Sequence, residues 1–317
     1  MRIILRILKA LGGLVLLAHA ALAVYAYWPT GIEELPARSL ASAQDRFAAV
    51  DGLELRYRSF GDFDPGQPSL VLIHGFGNSL QSFRLLAPQL ANDFHVVTLD
   101  LPGFGLSSKP ADRDYRNPAQ AAVVGDFIRA LRLDRVIIGG HSLGGAIALR
   151  VAVNEPEIVG LVLMNPGIIT TGVPKIAEYY FFPLQRLSAK QFGKRDFRKS
   201  FLQRSFVNPD VVTERVMDEL MLTVRSEGYM SGMTTMMGQY EAATEAPLLA
   251  RVEVPTLIAW GEQDRRKPEG ELEELHAALP GSVVVTVAGA GHYVHEEAPV
   301  AVARGIINAR DLWVGGS

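Results

Sequence analysis

The chain has 317 residues, 48% of them hydrophobic, with 31 Lys and Arg against 34 Asp and Glu. That length suits one large α/β domain with an insertion, and a net charge of −3 gives no overall basic character for nucleic acid. Without cysteine there are no disulfides, no thiol nucleophile and no thiolate metal site, a composition that suits an exported protein.

At the N-terminus, Arg2, Arg6 and Lys9 precede an uncharged run from Ala10 to Trp28. Nineteen residues come close to the roughly 20 that cross a bilayer. Basic residues before the run and none just after it place the N-terminus in the cytoplasm and the bulk of the chain outside. Tyr25, Tyr27 and Trp28 would form an aromatic belt at the far interface. A cleaved signal peptide is the alternative, because Ala18-His19-Ala20 and Ala21-Leu22-Ala23 both resemble A-x-A sites and would release a secreted protein. Residues 1–28 are thus read as an anchor or signal peptide, and 29–46, with Pro29, Gly31 and Pro36, as a linker.

A first core segment is expected over 47–166. Phe47–Val50 and Leu53–Phe60 read as strands joined at Asp51-Gly52, a strong hairpin signal. Ser69–Ile73 is a buried strand leading into His74-Gly75-Phe76-Gly77-Asn78. Leu80–Leu90 reads as a helix and His95–Asp100 as a strand. Asn117, as N-cap, and Pro118, at the first position, open a helix to about Leu131. Val136–Ile138 is a short apolar strand, and Gly140-His141-Ser142-Leu143-Gly144 follows as G-x-S-x-G. A helical apolar pattern (Ala146, Ile147, Leu149, Val151) comes at once after it. Strand, turn and helix in that order are what a nucleophile elbow requires, and Ser142 is the candidate nucleophile. Val159–Asn165 is a further strand. Strands alternating with helices imply a mostly parallel sheet with helices on both faces.

Over 167–247 the alternation stops, and helices with aromatic, basic and Met-rich segments read as an inserted cap. A second core segment, 248–317, resumes with a strand at Thr256–Trp260. A helix at Pro268–Leu279, a strand at Ser282–Ala288 and a closing helix at Glu297–Leu312 follow.

A serine hydroxyl is a poor nucleophile at neutral pH, so a histidine must take its proton and a carboxylate must orient that histidine. Gly261-Glu-Gln-Asp264 follows one late strand and Gly289-Ala-Gly-His292 the other. Asp264 is preferred over Glu262 for its distance from the strand end. His292, between glycines and an aromatic, is preferred over His295 at a helix start. All three candidates stand at carboxyl ends of strands, where open α/β sheets gather their chemistry. Oxyanion donors are expected from the backbone N–H groups of Leu143 and Phe76, with Gly75 and Gly77 letting the loop turn inward. His74 reads as a structural residue beside that loop. His74, His95, His141 and His276 lack any metal-binding spacing, so neither a metal nor a cofactor is expected.

His-Gly-Phe-Gly, Asp-Leu-Pro-Gly-Phe-Gly, Gly-His-Ser-Leu-Gly-Gly, Gly-Glu-Gln-Asp and Gly-Ala-Gly-His together resemble the α/β-hydrolase superfamily, over about residues 47–312. Within it the chain is similar to bacterial esterases and lipases with HGFG loops and to membrane-anchored monoacylglycerol lipases. The resemblance implies an α/β-hydrolase fold with a helical cap, a Ser142–Asp264–His292 triad acting on carboxylic esters through an acyl-enzyme, and Asp100 in a structural turn. Serine at 142 disfavours dehalogenase and epoxide-hydrolase activity, which use Asp there. Cofactor-free haloperoxidases and C–C bond hydrolases share the triad and stand as alternatives, as does a non-catalytic binding protein.

Two features of the cap remain. Met230, Met233 and Met237 share one helical face, which either packs the cap on the core or lines an acyl pocket with adaptable thioethers. Seven basic residues between Arg186 and Arg204, against Asp196 alone, are interleaved with Phe181, Phe182, Phe192, Phe197, Phe201 and Phe206. That segment reads either as a solvated basic helix whose phenylalanines pack inward or as a surface lying in a lipid headgroup layer. An ester or lipid substrate and a membrane are the expected partners.

Overall fold

In the computed structural model, residues 1–171, 181–241 and 244–314 are described. Parts of the expected cap, 172–180 and 242–243, and the last three residues lie outside the described residues.

The N-terminal run forms one helix, α1 (Arg2–Tyr27), longer than the uncharged stretch because the basic residues before it are also helical. Its 26 residues reach about 39 Å at 1.5 Å per residue, enough to cross a bilayer. Its apolar side chains are exposed, and only Ala26 is buried.

After it comes an eight-stranded sheet in the order β1-β2-β4-β3-β5-β6-β7-β8. β1 (Arg46–Val50) and β2 (Leu53–Phe60) pair antiparallel, with Val50 opposite Leu53. Asp51 (φ 47°) and Gly52 (φ 75°) both take the left-handed backbone that a two-residue hairpin of this twist demands. β2 runs antiparallel to β4, and every other pairing is parallel. The parallel strands are β3 (Ser69–Ile73), β4 (Val96–Leu99), β5 (Val136–His141), β6 (Ile158–Met164), β7 (Thr256–Gly261) and β8 (Val283–Val287). β3 and β5 are buried throughout, which explains their unbroken apolar sequence. Val71 and Ile73 point to one face, under the helices, and Leu70 and Leu72 to the other.

Among the helices, the expected one at Leu80–Leu90 is instead a 3-10 turn (Leu80–Phe83) and a single α-turn, α2 (Ala87–Leu90). Pro88 cannot continue a helix begun upstream, and the Leu80 N–H is taken by Asp100 Oδ1 at 2.7 Å. α3 (Asn117–Ala130) begins at Asn117 itself, so Arg116 occupies the cap position given to Asn117 from sequence. α4 (Leu143–Asn154) packs with α3 on the Val71 face.

Between β6 and β7 lie α5 (Leu184–Phe192), α6 (Arg195–Gln203), α7 (Glu214–Arg225) and α8 (Tyr229–Gly238). α9 (Glu271–Ala278) links β7 to β8. The closing helix is in three pieces, α10 (Val294–Glu297), α11 (Pro299–Asn308) and α12 (Asp311–Val314), because Pro299 restarts the ladder. Val302, Ile306 and Trp313 from these pieces cover the Leu70 face.

The insertion holds the chain that enters it from the N-terminus. Lys190 Nζ on α5 donates to the carbonyls of Tyr25 and Trp28, both at 2.7 Å, and Arg186 Nε donates to Ala26 O at 3.2 Å. Two cations thus satisfy carbonyls at the negative end of the α1 dipole. The stretch read as a tether is laid along the same insertion. Leu35 N–H donates to Arg225 O (2.7 Å), Glu227 N–H returns to Leu35 O (2.9 Å), and Glu34 Oε2 accepts from Gly228 N (2.9 Å).

Candidate active site

β5 delivers Ser142 to a turn that only close packing could hold. Its backbone sits at φ 51°, ψ −116°, a region costly for a residue with a Cβ. Around it the chain is anchored by Ser142 N–H to Met164 O (3.2 Å) and by Gly145 N–H and Gly167 N–H to Ser142 O (2.9 and 2.8 Å). A side chain at Gly140 would strike the carbonyl of Gly144, and one at Gly144 the carbonyl of Ile73. These two glycines let β5 and α4 approach while the serine is pushed out into a cavity.

Asp264 and His292 meet. His292 Nδ1–H donates to Asp264 Oδ2 at 2.7 Å, a tautomer assigned from the partner, since a carboxylate can only accept. Burial lowers the His292 pKa, and the Asp264 charge offsets this only in part. Burial pushes the Asp264 carboxyl up, but its bond to His292, that ring's charge and the Arg266 N–H outweigh this and hold it below the ordinary value. The pair therefore rests at neutral pH as a carboxylate beside a neutral imidazole. Glu262, the rival carboxylate, is exposed, and its N–H bonds to Val287 O. His295, the rival histidine, is fully buried, with Nε2 3.2 Å from Ser82 Oγ. Burial, helped by the charge of Arg84, pushes it down to about 3.

The loop after β3 runs against the elbow. At Gly75 a Cβ would lie 2.7 Å from His141 Nδ1 and 3.2 Å from Ser142 Cβ, so only glycine passes there. Gly77 takes φ 72°. His74 is buried, donating Nδ1–H to Gly75 O (2.8 Å) and accepting the Leu101 N–H at Nε2 (3.2 Å). It ties this loop to the Asp100 turn, the structural place expected of it. Phe76 and Leu143 line the same cavity as Ser142.

That cavity has a volume of about 300 Å³ and lies between the sheet ends and the insertion. Phe192, Phe197 and Phe201 line it, with Phe192 5.2 Å from Phe197, 5.1 Å from Phe201 and 5.5 Å from Phe76 between ring centroids. Three of the interleaved rings thus face the cavity, whereas Phe181 and Phe182 are exposed, with Phe182 against His19 and Tyr27 of α1. The basic residues are also engaged. Arg198 is buried, donating to Phe192 O (3.1 Å) and Leu220 O (2.9 Å), while Arg195 and Lys199 pair with Glu214. Of the methionines, Met237 lines the cavity, but Met233 is packed in the core and Met236 takes its place.

The whole arrangement has known counterparts. Residues 68–299 match the profile of the α/β hydrolase fold. This chain belongs to the α/β-hydrolase family. It is 30% identical to an uncharacterized hydrolase, YugF, of Bacillus subtilis, over 79% of this chain and 92% of that one. It is 33% identical to Lipase 3 of a Moraxella species, over 74% of each. Its structure is similar to that of a membrane phospholipase A described as a bacterial virulence factor. That match has a TM-score of 0.68 and 28% identity, covering 98% of this chain and 99% of the other. It is a hydrolase with lipase relatives.

Two further residues position the site: Asn165, which no motif in the sequence marks, and His141 of the elbow itself. Asn165, at φ 39° just after β6, donates Nδ2–H to Asp264 Oδ2 (2.9 Å) and accepts the Gly261 N–H at Oδ1 (3.0 Å). It locks the Asp264 loop to the sheet end and leaves Oδ2 with a second donor. His141 donates Nε2–H to His292 O at 2.9 Å, and its ring stands 4.8 Å from that of His292. The residue before the serine thus holds the loop that carries His292. An asparagine following a strand, with Pro166-Gly167 behind it, was the only hint in the sequence.

Proposed function

We propose that this hydrolase cleaves carboxylic esters through a Ser142–His292–Asp264 triad and an acyl-enzyme. The observation that supports the reading most is the 2.7 Å Asp264–His292 bond together with a strained Ser142 that lines a largely apolar cavity. In the first half-reaction Ser142 Oγ attacks the ester carbonyl while His292 Nε2 takes its proton, and Asp264 stabilises the imidazolium. The carbonyl oxygen becomes an oxyanion, held by the N–H groups of Leu143 and Phe76. The C–O bond to the alcohol then breaks, and His292 returns the proton to the leaving oxygen. Water, deprotonated by His292, releases the acid and restores the serine. A fluorophosphonate probe should label the protein and fail to label Ser142→Ala. Equal labelling of both would return the chain to the reading of a non-catalytic binding fold.

The histidine sets a pH dependence. Only neutral imidazole can take the serine proton, and burial disfavours the imidazolium, so the folded pKa lies below the ordinary value of about 6.5. Activity on a neutral ester should therefore be full above that value and fall as pH drops through the lowered pKa. An acid limb of kcat/KM centred at or above pH 6.5 would contradict the assignment.

Phe192, Met236 and Met237 suit an acyl chain, since thioethers adapt to chains of varied length. We read α1 as a retained anchor that leaves the catalytic domain outside the cytoplasm, supported by Arg2, Arg6 and Lys9 before an exposed apolar helix. Residues 25–28, which meet α5, would survive cleavage after Ala20 or Ala23, so docking alone does not decide between anchor and signal peptide. The intact mass of the membrane-fraction protein should include the whole of α1. A chain starting at Ala21 or Val24 would overturn the anchor.

A further inference from the structure

Two guanidiniums line the cavity with Ser142: Arg116 pairs with Asp114 and Glu241, and the other has no such partner. Arg266 lines the cavity, two residues beyond Asp264. Its Nε donates to Ser205 Oγ at 2.7 Å, and its guanidinium carbon lies 4.6 Å from the centroid of the Phe201 ring. One further N–H reaches Phe201 O at 3.5 Å. No carboxylate among the described residues is within ion-pair distance of it. Its acidic neighbours are occupied, Asp264 with His292 and Glu271 with Lys267. A guanidinium stays charged at any working pH and carries five donors in a rigid fork. Held half-buried against an aromatic ring, this one has donors left over and no anion to meet them.

Its position relative to the chemistry is fixed by Ser205. The carbonyl of Ser205 accepts the His292 N–H at 3.2 Å, while its hydroxyl holds Arg266. Arg266 thus stands on the His292 side of the cavity. In acyl transfer the histidine hands its proton to the leaving oxygen, so the alcohol half of the ester lies on that side. The acyl half is left to the rest of the cavity wall, which includes Met236 and Met237.

Resting on the ester-hydrolase reading, we infer that Arg266 receives an oxyanion carried by the leaving alcohol. The favoured substrates are then esters whose alcohol bears a phosphate or a carboxylate, rather than neutral glycerides. A forked donor pairs with either anion in two parallel bonds, which a lysine cannot reproduce.

The test compares one short acyl group on three alcohols of similar size: glycerol, glycerol phosphate and glycerate. Initial rates give kcat/KM for the wild type, Arg266→Lys and Arg266→Gln. The expected result is that Arg266→Gln loses at least about tenfold more on one or both anionic esters than on the glycerol ester, with Arg266→Lys in between. The larger of the two anionic losses tells phosphate from carboxylate. Equal losses on all three alcohols would overturn the inference and leave Arg266 a staple between α6 and the Asp264 loop. A shift of the acid limb with no change in alcohol preference would overturn it too, leaving the charge to act on His292 alone. Absence of fluorophosphonate labelling in the wild type would instead sink the parent reading, so the two failures are distinguishable.

Discussion

Ser142→Ala is expected to lower kcat on a chromogenic short-chain ester by about 10⁴- to 10⁶-fold, with the far-ultraviolet spectrum unchanged. His292→Ala should cost a similar factor, because a serine without its base has no better nucleophile than water to offer. Asp264→Asn should cost about 10⁴-fold, since an amide stabilises the wrong tautomer of the ring. Members of a triad act as one unit, so on the proposed assignment the Ser142→Ala/His292→Ala pair should lose little more than the worse single variant. His295→Ala separates chemistry from packing. That ring sits 5.0 Å from Phe83 and 4.6 Å from His141 and has no route to the cavity surface, so its loss should lower thermal stability first and kcat far less. Activity surviving in His292→Ala but lost in His295→Ala would assign the wrong histidine as the base.

Much of the sheet and its carboxyl-end loops could be read from local chemistry. The hairpin at Asp51-Gly52 needs only two residues tolerant of left-handed backbone, and those two residues are visible in the sequence. The G-x-S-x-G turn was likewise legible, because strand, serine and helix follow one another without interruption. What escaped was set by contacts between distant segments. Asn165 reaches Asp264 across 99 residues, and its role depends on a strand end and a loop being side by side. For the basic segment, spacing placed Phe197 and Phe201 on one helix face but could not say what that face would meet. That face meets Phe192 and, through it, Phe76, more than a hundred residues earlier. The expected helices at Leu80–Leu90 and Glu297–Leu312 are broken for a local reason, since apolar residues continue across Pro88 and Pro299 but the backbone ladder restarts at each proline.

Arg56→Met should destabilise the fold by about 3–5 kcal/mol, the largest loss expected of any substitution outside the catalytic loops. The Arg56 side chain is almost wholly buried on β2 and joins two acids distant in sequence, Asp45 and Asp100. Its Nη1 donates to Asp100 Oδ2 (3.3 Å) and its Nη2 to Asp45 Oδ2 (3.0 Å). Asp100 also receives the Leu80 and Leu106 N–H groups at 2.7 and 2.8 Å, and Asp45 receives Arg58 Nε at 2.7 Å. Methionine fills much of the volume but leaves Asp100 buried with no countercharge, and an uncompensated carboxylate is what makes such a loss large. At roughly 2–4 °C per kcal/mol for a chain of this size, Tm should fall by about 10 °C. Adding Asp100→Asn to the variant should restore part of that loss, which a purely steric defect would not allow. The acid side gives a second check. Burial pushes the Asp45 carboxyl up, but its bonds to Arg56 and Arg58 overcome that and hold it at about 2. Its stabilising contribution is thus fully present above the unfolded value near 4 and lost as pH falls through about 2. The gap in Tm between wild type and Arg56→Met should be wide at pH 7 and narrow towards pH 2. A Tm within 1 °C of wild type at pH 7 would show that the Asp45–Arg56–Asp100 bridge contributes little. The same turn bears on the site, because the Leu101 N–H next to Asp100 fixes His74, and His74 fixes Gly75 against Ser142. Arg56→Met should therefore lower kcat by a modest factor even well below its melting temperature, although the residue touches no substrate.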